Sequence, residues 1–299
     1  MVDSATSLTT VWAPAKVNLY LHVGRPLEDG RHPLDSLVMF ADASAADRVS
    51  VRPLKTVTLN VDGPNAKALK GEKQNLVLQA AKLLKDAAGR SDLGAALNLY
   101  KELPVAAGIG GGSADAAATL QALNRYWNIG FGDEALLNLG AELGADVPAC
   151  LRSDPQIMRG IGEKLTPFSA CGLPIVLVNP AVKLSTADVF RKFDELGMGA
   201  DFKEREGPDS TGGPEALAKA LEEYSNDLEA PTKLLCPAVN EVLTTLEKTE
   251  GALLARMSGS GPTCFAVFSS FEAAKAAAYV LSKRKKKWWV RATLLSGSQ

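Results

Sequence analysis

The stretch LPVAAGIGGGSADAAATL, residues 103–120, constrains the fold of this chain more than any other. Gly108, Gly110, Gly111 and Gly112 run directly into an alanine-rich segment. Glycine loses more backbone entropy on folding than any other residue, so such a cluster needs a physical return. A helix entered at this point leaves its first amides without intrahelical acceptors and turns the positive end of its dipole outward. That geometry suits a phosphate group. Ser113 stands at the helix start, and the small Ala114, Ala116, Ala117 and Ala118 allow close approach. Tight packing of a helix entry against a sheet is the plainer alternative. A Walker A loop is excluded because the stretch contains no lysine, and the G-x-G-x-x-G spacing of a dinucleotide site is absent. Asp115 reads as a cap for exposed amides or as a solvent-facing acid.

Around this stretch the hydrophobic period changes twice. KVNLYLHVG (16–24) alternates as a strand, EDGRHP turns, and LDSLVMFA, DRVSVRP and TVTLNVDGP continue a β-rich run. QNLVLQAAKLLKDAAG (74–89) has apolar residues at 76, 77, 80, 83 and 84, which is helical spacing, with Gly89 as a stop. GAALNLYKEL is a strand ending at Pro104. Helices follow over 113–126 and 133–143, and GADVPAC (144–150) reads as a loop into a short strand. Residues 150–174 read as hairpins, PIVLVNP as a strand, and STADVFRKF as a helix from Ser185. The polar, glycine-rich 199–215 reads as an exposed, mobile loop. Helices near 215–224 and 233–249 precede a strand–turn–strand in ALLARMSGSGPTCFAVFSS, a helix in FEAAKAAAYVLSKR and a last strand in WWVRATLL. The expected class is α+β, with a seam near 150–175 and domains of 1–160 and 161–299; the second half reads as a split β-α-β unit.

Composition narrows the function. The chain has 299 residues, 33 basic and 34 acidic, and is 46% hydrophobic. A balanced charge argues against nucleic acid as partner, and no window is apolar enough to span a membrane. The run Arg284–Lys287 before Trp288 and Trp289 reads as a solvated helix end. Four dispersed cysteines and two histidines argue against a structural zinc site and for a reduced, cytoplasmic chain. The first nine residues read as frayed.

Three stretches taken together, WAPAKVNLYLHVGRPLEDGRHPLDSL, LPVAAGIGGGSADAAATLQALN and MSGSGPTCFAVF, resemble the GHMP family of small-molecule kinases, and LGADVP and NDLE extend the match over nearly the whole chain. The resemblance implies a ribosomal-S5-domain-2-like N-terminal domain that binds ATP and a ferredoxin-like C-terminal domain that contributes to the substrate pocket. It implies transfer of the γ-phosphate of ATP, with Mg2+, to the 2-hydroxyl of a cytidylylated methylerythritol, a step of isoprenoid precursor synthesis. Asp146 would take the hydroxyl proton and Lys16 would orient the hydroxyl and hold charge. Lys101, Pro104, Gly108, Gly110, Gly111, Gly112, Ser113 and Ala114 would bind ATP, with Ser113 also near the metal and Lys101 lining the nucleoside pocket. Asn18, His32, Thr186 and Phe190 would join Asp146 in holding the acceptor, with His32 reading the cytosine edge. Gly259, Ser260 and Gly261 would support the phosphate region. The chain departs from the pattern at Arg31, where the family often has tyrosine. A homodimer is compatible with the resemblance.

By residue type alone these positions have ordinary readings. Lys16 and Lys101 read as solvated charges, Asp146 as a turn former, Asn18 as a strand residue, Phe190 as core, Ser113 and Thr186 as helix-start hydroxyls, and the 259–261 glycines as a chain turn. Within the resemblance, a homoserine or mevalonate type of kinase and a non-catalytic nucleotide-binding regulator are the alternatives. A nucleic-acid-binding module, resting on the 284–287 cluster, is a third.

Overall fold

The computed structural model describes residues 9–70 and 75–297, so the expectation of fraying at the N-terminus and the start of the 74–89 helix at Gln74 lie outside it, except that Thr9 already opens a strand. In chain order the strands are β1 (Thr9–Pro14), β2 (Lys16–Asn18), β3 (His22–Val23), β4 (Leu34–Phe40), β5 (Ala46–Arg52), β6 (Val57–Asp62), β7 (Ala95–Tyr100), β8 (Gln156–Gly160), β9 (Lys164–Pro167), β10 (Leu173–Asn179), β11 (Ala252–Met257), β12 (Cys264–Phe268) and β13 (Trp289–Leu295). The helices are α1 (Leu76–Ala87), α2 (Gly111–Tyr126), α3 (Asp133–Leu143), α4 (Val147–Arg152), α5 (Thr186–Glu195), α6 (Gly213–Ala220), α7 (Glu229–Leu235), α8 (Ala238–Glu247) and α9 (Phe271–Arg284).

These elements form two compact units that interleave along the chain. The first comprises the chain up to Ala15, Ala46–Val105 and Gly110–Arg152; the second comprises Lys16–Ala45, Ala106–Ile109 and the chain from Ser153. The division therefore runs through the glycine stretch itself.

In the first unit a four-stranded sheet, ordered β1-β5-β7-β6, carries the helices. Helix α1 buries Val77, Ala80, Ala81 and Leu84, the i, i+3, i+4, i+7 stripe of an amphipathic helix. Asn75 caps it by accepting from the Val77 amide, and Gly89, at φ 62°, follows its end. Helix α2 is different, because Ala114 through Leu120 are buried without a break. It lies against β1, β5, α1, α3 and α4, and only its small side chains let so many neighbours approach.

The second unit holds two sheets. One is ordered β2-β4-β8-β9, with β3 also paired to β4. The other is ordered β11-β12-β10-β13, with every neighbouring pair antiparallel. Its strands and helices follow one another as β-α-β-β-α-β, from β10 through α5–α8 to β11 and β12 and then through α9 to β13, the ferredoxin-like arrangement. The central strands β10 and β12 are buried at every position, which explains their continuous apolar runs.

Several local expectations need correction. The 16–24 strand is two short strands, because Leu21 turns away to hydrogen-bond the Ser225 carbonyl. The segment after Asp146 is the helix α4 rather than a loop into a strand. Pro148 sits in its first turn, where its missing N–H costs nothing, and the Cys150 amide donates to the Asp146 carbonyl at 3.1 Å. The helix read over 233–249 is two helices, α7 and α8, broken at Cys236 and Pro237. Residues 199–212 form an irregular and largely exposed loop, tied down near its middle, before α6 begins at Gly213. The Arg205 amide donates to Asp35 at 2.7 Å, Pro208 is buried, and a Cβ on Gly207 would lie 2.8 Å from Ile157 and 2.9 Å from Phe168.

Arg256 locks part of the second unit. Only 6% exposed, it donates to the carbonyls of Leu19 (2.7 Å), Leu221 (2.9 Å) and Tyr224 (2.7 Å). Burial lowers its pKa to about 10, and Glu229 partly opposes that shift. Replacing it with methionine keeps the stem but removes the side-chain donor from three buried carbonyls, of which only that of Leu221 keeps another donor, the Tyr224 amide. The expected loss of stability is about 3 kcal/mol, to be read from the urea midpoint at constant m.

Candidate functional site

The first unit contributes the second half of the glycine stretch. Gly110 adopts the left-handed region at φ 63° and starts α2, and no side chain caps that helix end. Gly111 and Ser113 are half-buried and Gly112 is exposed, so the uncapped turn faces outward until burial begins at Ala114. Pro104 is half-buried at the entrance of the stretch, immediately after the buried Leu103.

A buried ionic cluster lies beneath that turn. Lys101 Nζ is 2.5 Å from Asp47 Oδ2 and 2.6 Å from Asp115 Oδ2, and these residues are 2%, 0% and 3% exposed. Asp47 also accepts from the amides of Glu102 (2.7 Å) and Leu103 (2.8 Å). Burial pushes the Asp115 carboxyl up to about 8; the Lys101 ammonium opposes this, and Asp47 adds to it. Burial would lower Lys101, but the two carboxylates outweigh it and raise its pKa. Lys101 is thus no solvated charge, and Asp115 neither caps the helix nor faces solvent. Asp146, half-buried, heads α4, which packs on α2 and α3.

In the second unit the remaining candidates share one hydrogen-bonded junction. The Lys16 amide donates to the Ile109 carbonyl at 2.9 Å, and Lys16 is only 5% exposed, not an edge charge. The Asn18 amide donates to Ser258 Oγ (3.1 Å), and Ser258 Oγ donates to the Gly108 carbonyl (3.1 Å). Asn18 Nδ2 donates to Ser36 Oγ at 2.8 Å. Gly108 has φ +73°, and a Cβ there would stand 2.5 Å from the Ser258 carbonyl oxygen and 2.6 Å from the Gly261 nitrogen. A Cβ on Gly259 would reciprocally meet the Gly108 oxygen at 2.6 Å. Thr186 Oγ1 lies 2.9 Å from Ser260 Oγ.

An aromatic face completes this unit's part. His32 and Phe190 have ring centroids 4.8 Å apart, and Phe193 meets His32 edge-on at 6.0 Å. His32 Nε2 lies 2.8 Å from Asp194 Oδ1. Phe190, Phe193 and Asp194 fall at i, i+3 and i+4 on α5, so one helix face grips the imidazole from three sides. The Arg31 guanidinium is held by Asp29 through two hydrogen bonds, at 2.7 and 2.5 Å, and its side chain is 61% exposed.

Within the second unit, then, Lys16, Asn18, Gly108, Gly259, Ser260, Gly261 and Thr186 come together, with His32 and Phe190 as a pair. Lys101, Gly110–Ala114 and Asp146 belong to the first. The roles of Ser258, Asn226 and Asp47 escaped the sequence reading, and Asp115 is a buried acid rather than the cap or solvent-facing group expected of it. Asn226 Nδ2 donates to the carbonyls of Met257 and Gly259, both at 2.8 Å, which fixes the glycine turn. For Asp115 a signal existed: a lone acid inside an otherwise alanine-lined helix has to be paired when that helix is buried.

Among the described residues no group of three His, Cys, Asp or Glu side chains is placed to hold a metal ion. The Ser113 hydroxyl stands half-buried on the first turn of α2. No helix of the described residues is long and apolar enough to cross a membrane. None of the four cysteines forms a disulfide.

Comparison with known proteins bears on the family of the chain. Residues 75–154 match the model of the GHMP kinases N terminal domain, and residues 209–287 that of the GHMP kinases C terminal. A 4-diphosphocytidyl-2-C-methyl-D-erythritol kinase of Hyphomonas neptunium is 47% identical, covering 99% of this chain and all of that protein. One of the same name from Parvibaculum lavamentivorans is 44% identical over 95% of this chain and 97% of its own. The crystal structure of a 4-(cytidine 5'-diphospho)-2C-methyl-D-erythritol kinase superposes with a TM-score of 0.75 at 33% identity, covering 96% of this chain and all of that one. A homoserine kinase from Cytophaga hutchinsonii superposes at 0.69 with 19% identity, a likeness of fold alone.

Proposed function

Because the chain belongs to the GHMP kinases, and among them to the 4-diphosphocytidyl-2-C-methyl-D-erythritol kinases, we propose how its residues divide that reaction. The enzyme phosphorylates the 2-hydroxyl of 4-diphosphocytidyl-2-C-methyl-D-erythritol with ATP, giving the 2-phosphate and ADP, in the non-mevalonate route to isoprenoid precursors. ATP lies along Lys101, Pro104, Gly108, Gly110, Gly111, Gly112, Ser113 and Ala114, its phosphates on the uncapped amides of α2. Ser113 is the protein's oxygen for Mg2+, and the ion, when bound, offsets phosphate charge. Gly259, Ser260 and Gly261 hold Gly108 in place.

Phosphoryl transfer asks mainly for positioning and charge stabilisation. Asp146 accepts the proton of the acceptor hydroxyl as its oxygen bonds to phosphorus and the bond to the ADP oxygen breaks. Lys16 orients that hydroxyl and offsets the charge on the transferring group. Asn18 and Thr186 hold the acceptor's polyol end. Phe190 offers the stacking face for cytosine, a role that Arg31, already paired with Asp29, does not need to fill. Asp194 engages His32 Nε2, which leaves Nδ1 as the ring nitrogen to meet the cytosine edge.

The observation that supports this division most is the junction of the Lys16–Asn18 strand, Gly108 and the Ser258–Gly261 turn. A coupled assay with the cytidylylated alcohol against homoserine, mevalonate and galactose tests the substrate; equal turnover of any of the other three would overturn it. Phe190→Ala is expected to raise the acceptor KM by roughly tenfold and leave the ATP KM within about twofold. The proposal includes cytoplasmic residence, supported by four cysteines of which none forms a disulfide, and a homodimer, which light scattering would check. The domain boundary between residues 160 and 161 is likewise proposed; the two family-model matches fall on either side of it.

A further inference from the structure

We propose that Asp47, Lys101 and Asp115 are positioning residues: a buried device that sets the first turn of α2 and holds the Lys101 ammonium beneath it, so that Lys101 acts on the phosphates of ATP and not on its nucleoside. The inference rests on the phosphate-loop reading of the glycine stretch and refines it.

Geometry carries the argument. The cluster joins β5, through Asp47, to the segment leaving β7, through Lys101, and to α2, through Asp115. A Cβ placed on Gly111 would stand 3.2 Å from Lys101 Nζ and 3.7 Å from Asp47 Oδ2, so the ammonium lies directly under the outward-facing turn. A lysine ammonium has three donors, and Lys101 spends two of them on carboxylates at 2.5 and 2.6 Å. At 2% exposure it is held beneath the turn by both carboxylates.

Stability does not account for the cluster. A buried ion triad is commonly matched or bettered by apolar residues of the same volume. Asp115 Oδ1, moreover, is buried with no hydrogen-bond partner, a cost a purely structural bridge would not need to retain. Asp47, by contrast, is saturated by Lys101 and the amides of Glu102 and Leu103. One carboxylate is thus anchored in the sheet and the other travels with the helix turn. The ammonium between them fixes that turn relative to the sheet and offsets the carboxylate charge that would otherwise face the polyphosphate.

The test is calorimetric titration of the full chain with ATP, ADP and adenosine, with thermal midpoints recorded. Lys101→Met and Asp115→Leu are expected to weaken ATP at least about tenfold and ADP by less, with adenosine and the acceptor KM within about twofold. Asp115→Asn keeps an acceptor for Lys101 and is expected to hold ATP within about threefold of wild type. If Lys101→Met does not fold, the contrast between Asp115→Leu and Asp115→Asn separates the same outcomes. Adenosine weakening in step with ATP would overturn the proposal, because Lys101 would then serve the nucleoside. Lower thermal midpoints with unchanged ATP affinity would also overturn it, reducing the cluster to a structural bridge. Wild-type protein binding ATP no more tightly than adenosine would instead sink the phosphate-loop reading itself.

Discussion

Replacing Asp146 with asparagine is expected to lower kcat by about a thousandfold while the ATP KM stays within about twofold. Asparagine has nearly the same shape and is as good a helix-start residue as aspartate, so α4 keeps its first turn; the Cys150 amide donates to the backbone carbonyl of residue 146, which the change leaves alone. In the proposed mechanism, what is lost is a basic oxygen for the acceptor's proton. A thousandfold is about 4 kcal/mol of transition-state stabilisation, within the usual reach of a positioned general base. Single-turnover assays with saturating ATP measure the chemical step directly. Near-normal turnover in this variant would remove Asp146 from the role of base and leave positioning by Lys16 and the loop amides to account for the chemistry.

Gly108→Ala is expected to destabilise the protein by about 4 kcal/mol, or to prevent folding. Its φ of +73° disfavours any L side chain, and the new Cβ would meet backbone atoms of Ser258 and Gly261 at 2.5–2.7 Å, which cannot swing aside as a side chain can. The turn would have to move. Ser258 carries the Asn18 amide and Ile109 the Lys16 amide, so the Lys16–Asn18 strand would move with it. Gly112→Ala is the control. Its Cβ would have only Leu76 Cδ1 nearby, at 3.5 Å, with no strained φ, so stability should hold or rise by up to about 1 kcal/mol. Urea denaturation of the two variants beside wild type decides the matter. Equal midpoints would mean that the turn is softer than its close contacts imply.

The contrast between these two glycines shows how far a sequence reading reaches. Both lie in one conspicuous run, and nothing in that run distinguishes a glycine demanded by sterics from one that keeps a surface bare. Gly108 is distinguished by a turn 150 residues further along the chain. The same holds for charge. Lys101 precedes Leu103 and Pro104 and reads as solvated, yet Asp47 and Asp115, on other elements, enclose it. Asp146 reads as a turn former, and it does stand at a chain turn, but the helix that follows forms because Val147, Pro148, Ala149 and Cys150 are buried against α2 and α3.

The strands and helices with clean periods, the helix start at Ser185, the stop at Gly89 and the α+β class were all legible in the order of residues, because hydrophobic spacing and capping act within a few positions. The glycine stretch likewise announced an outward-facing helix start from local backbone preference alone. Tertiary structure alone decided which charges are buried, which glycine is indispensable and how His32 is gripped by α5. Each of those depends on groups far apart in the chain meeting at hydrogen-bonding or van der Waals distance, and such meetings leave no local mark on the residues that make them.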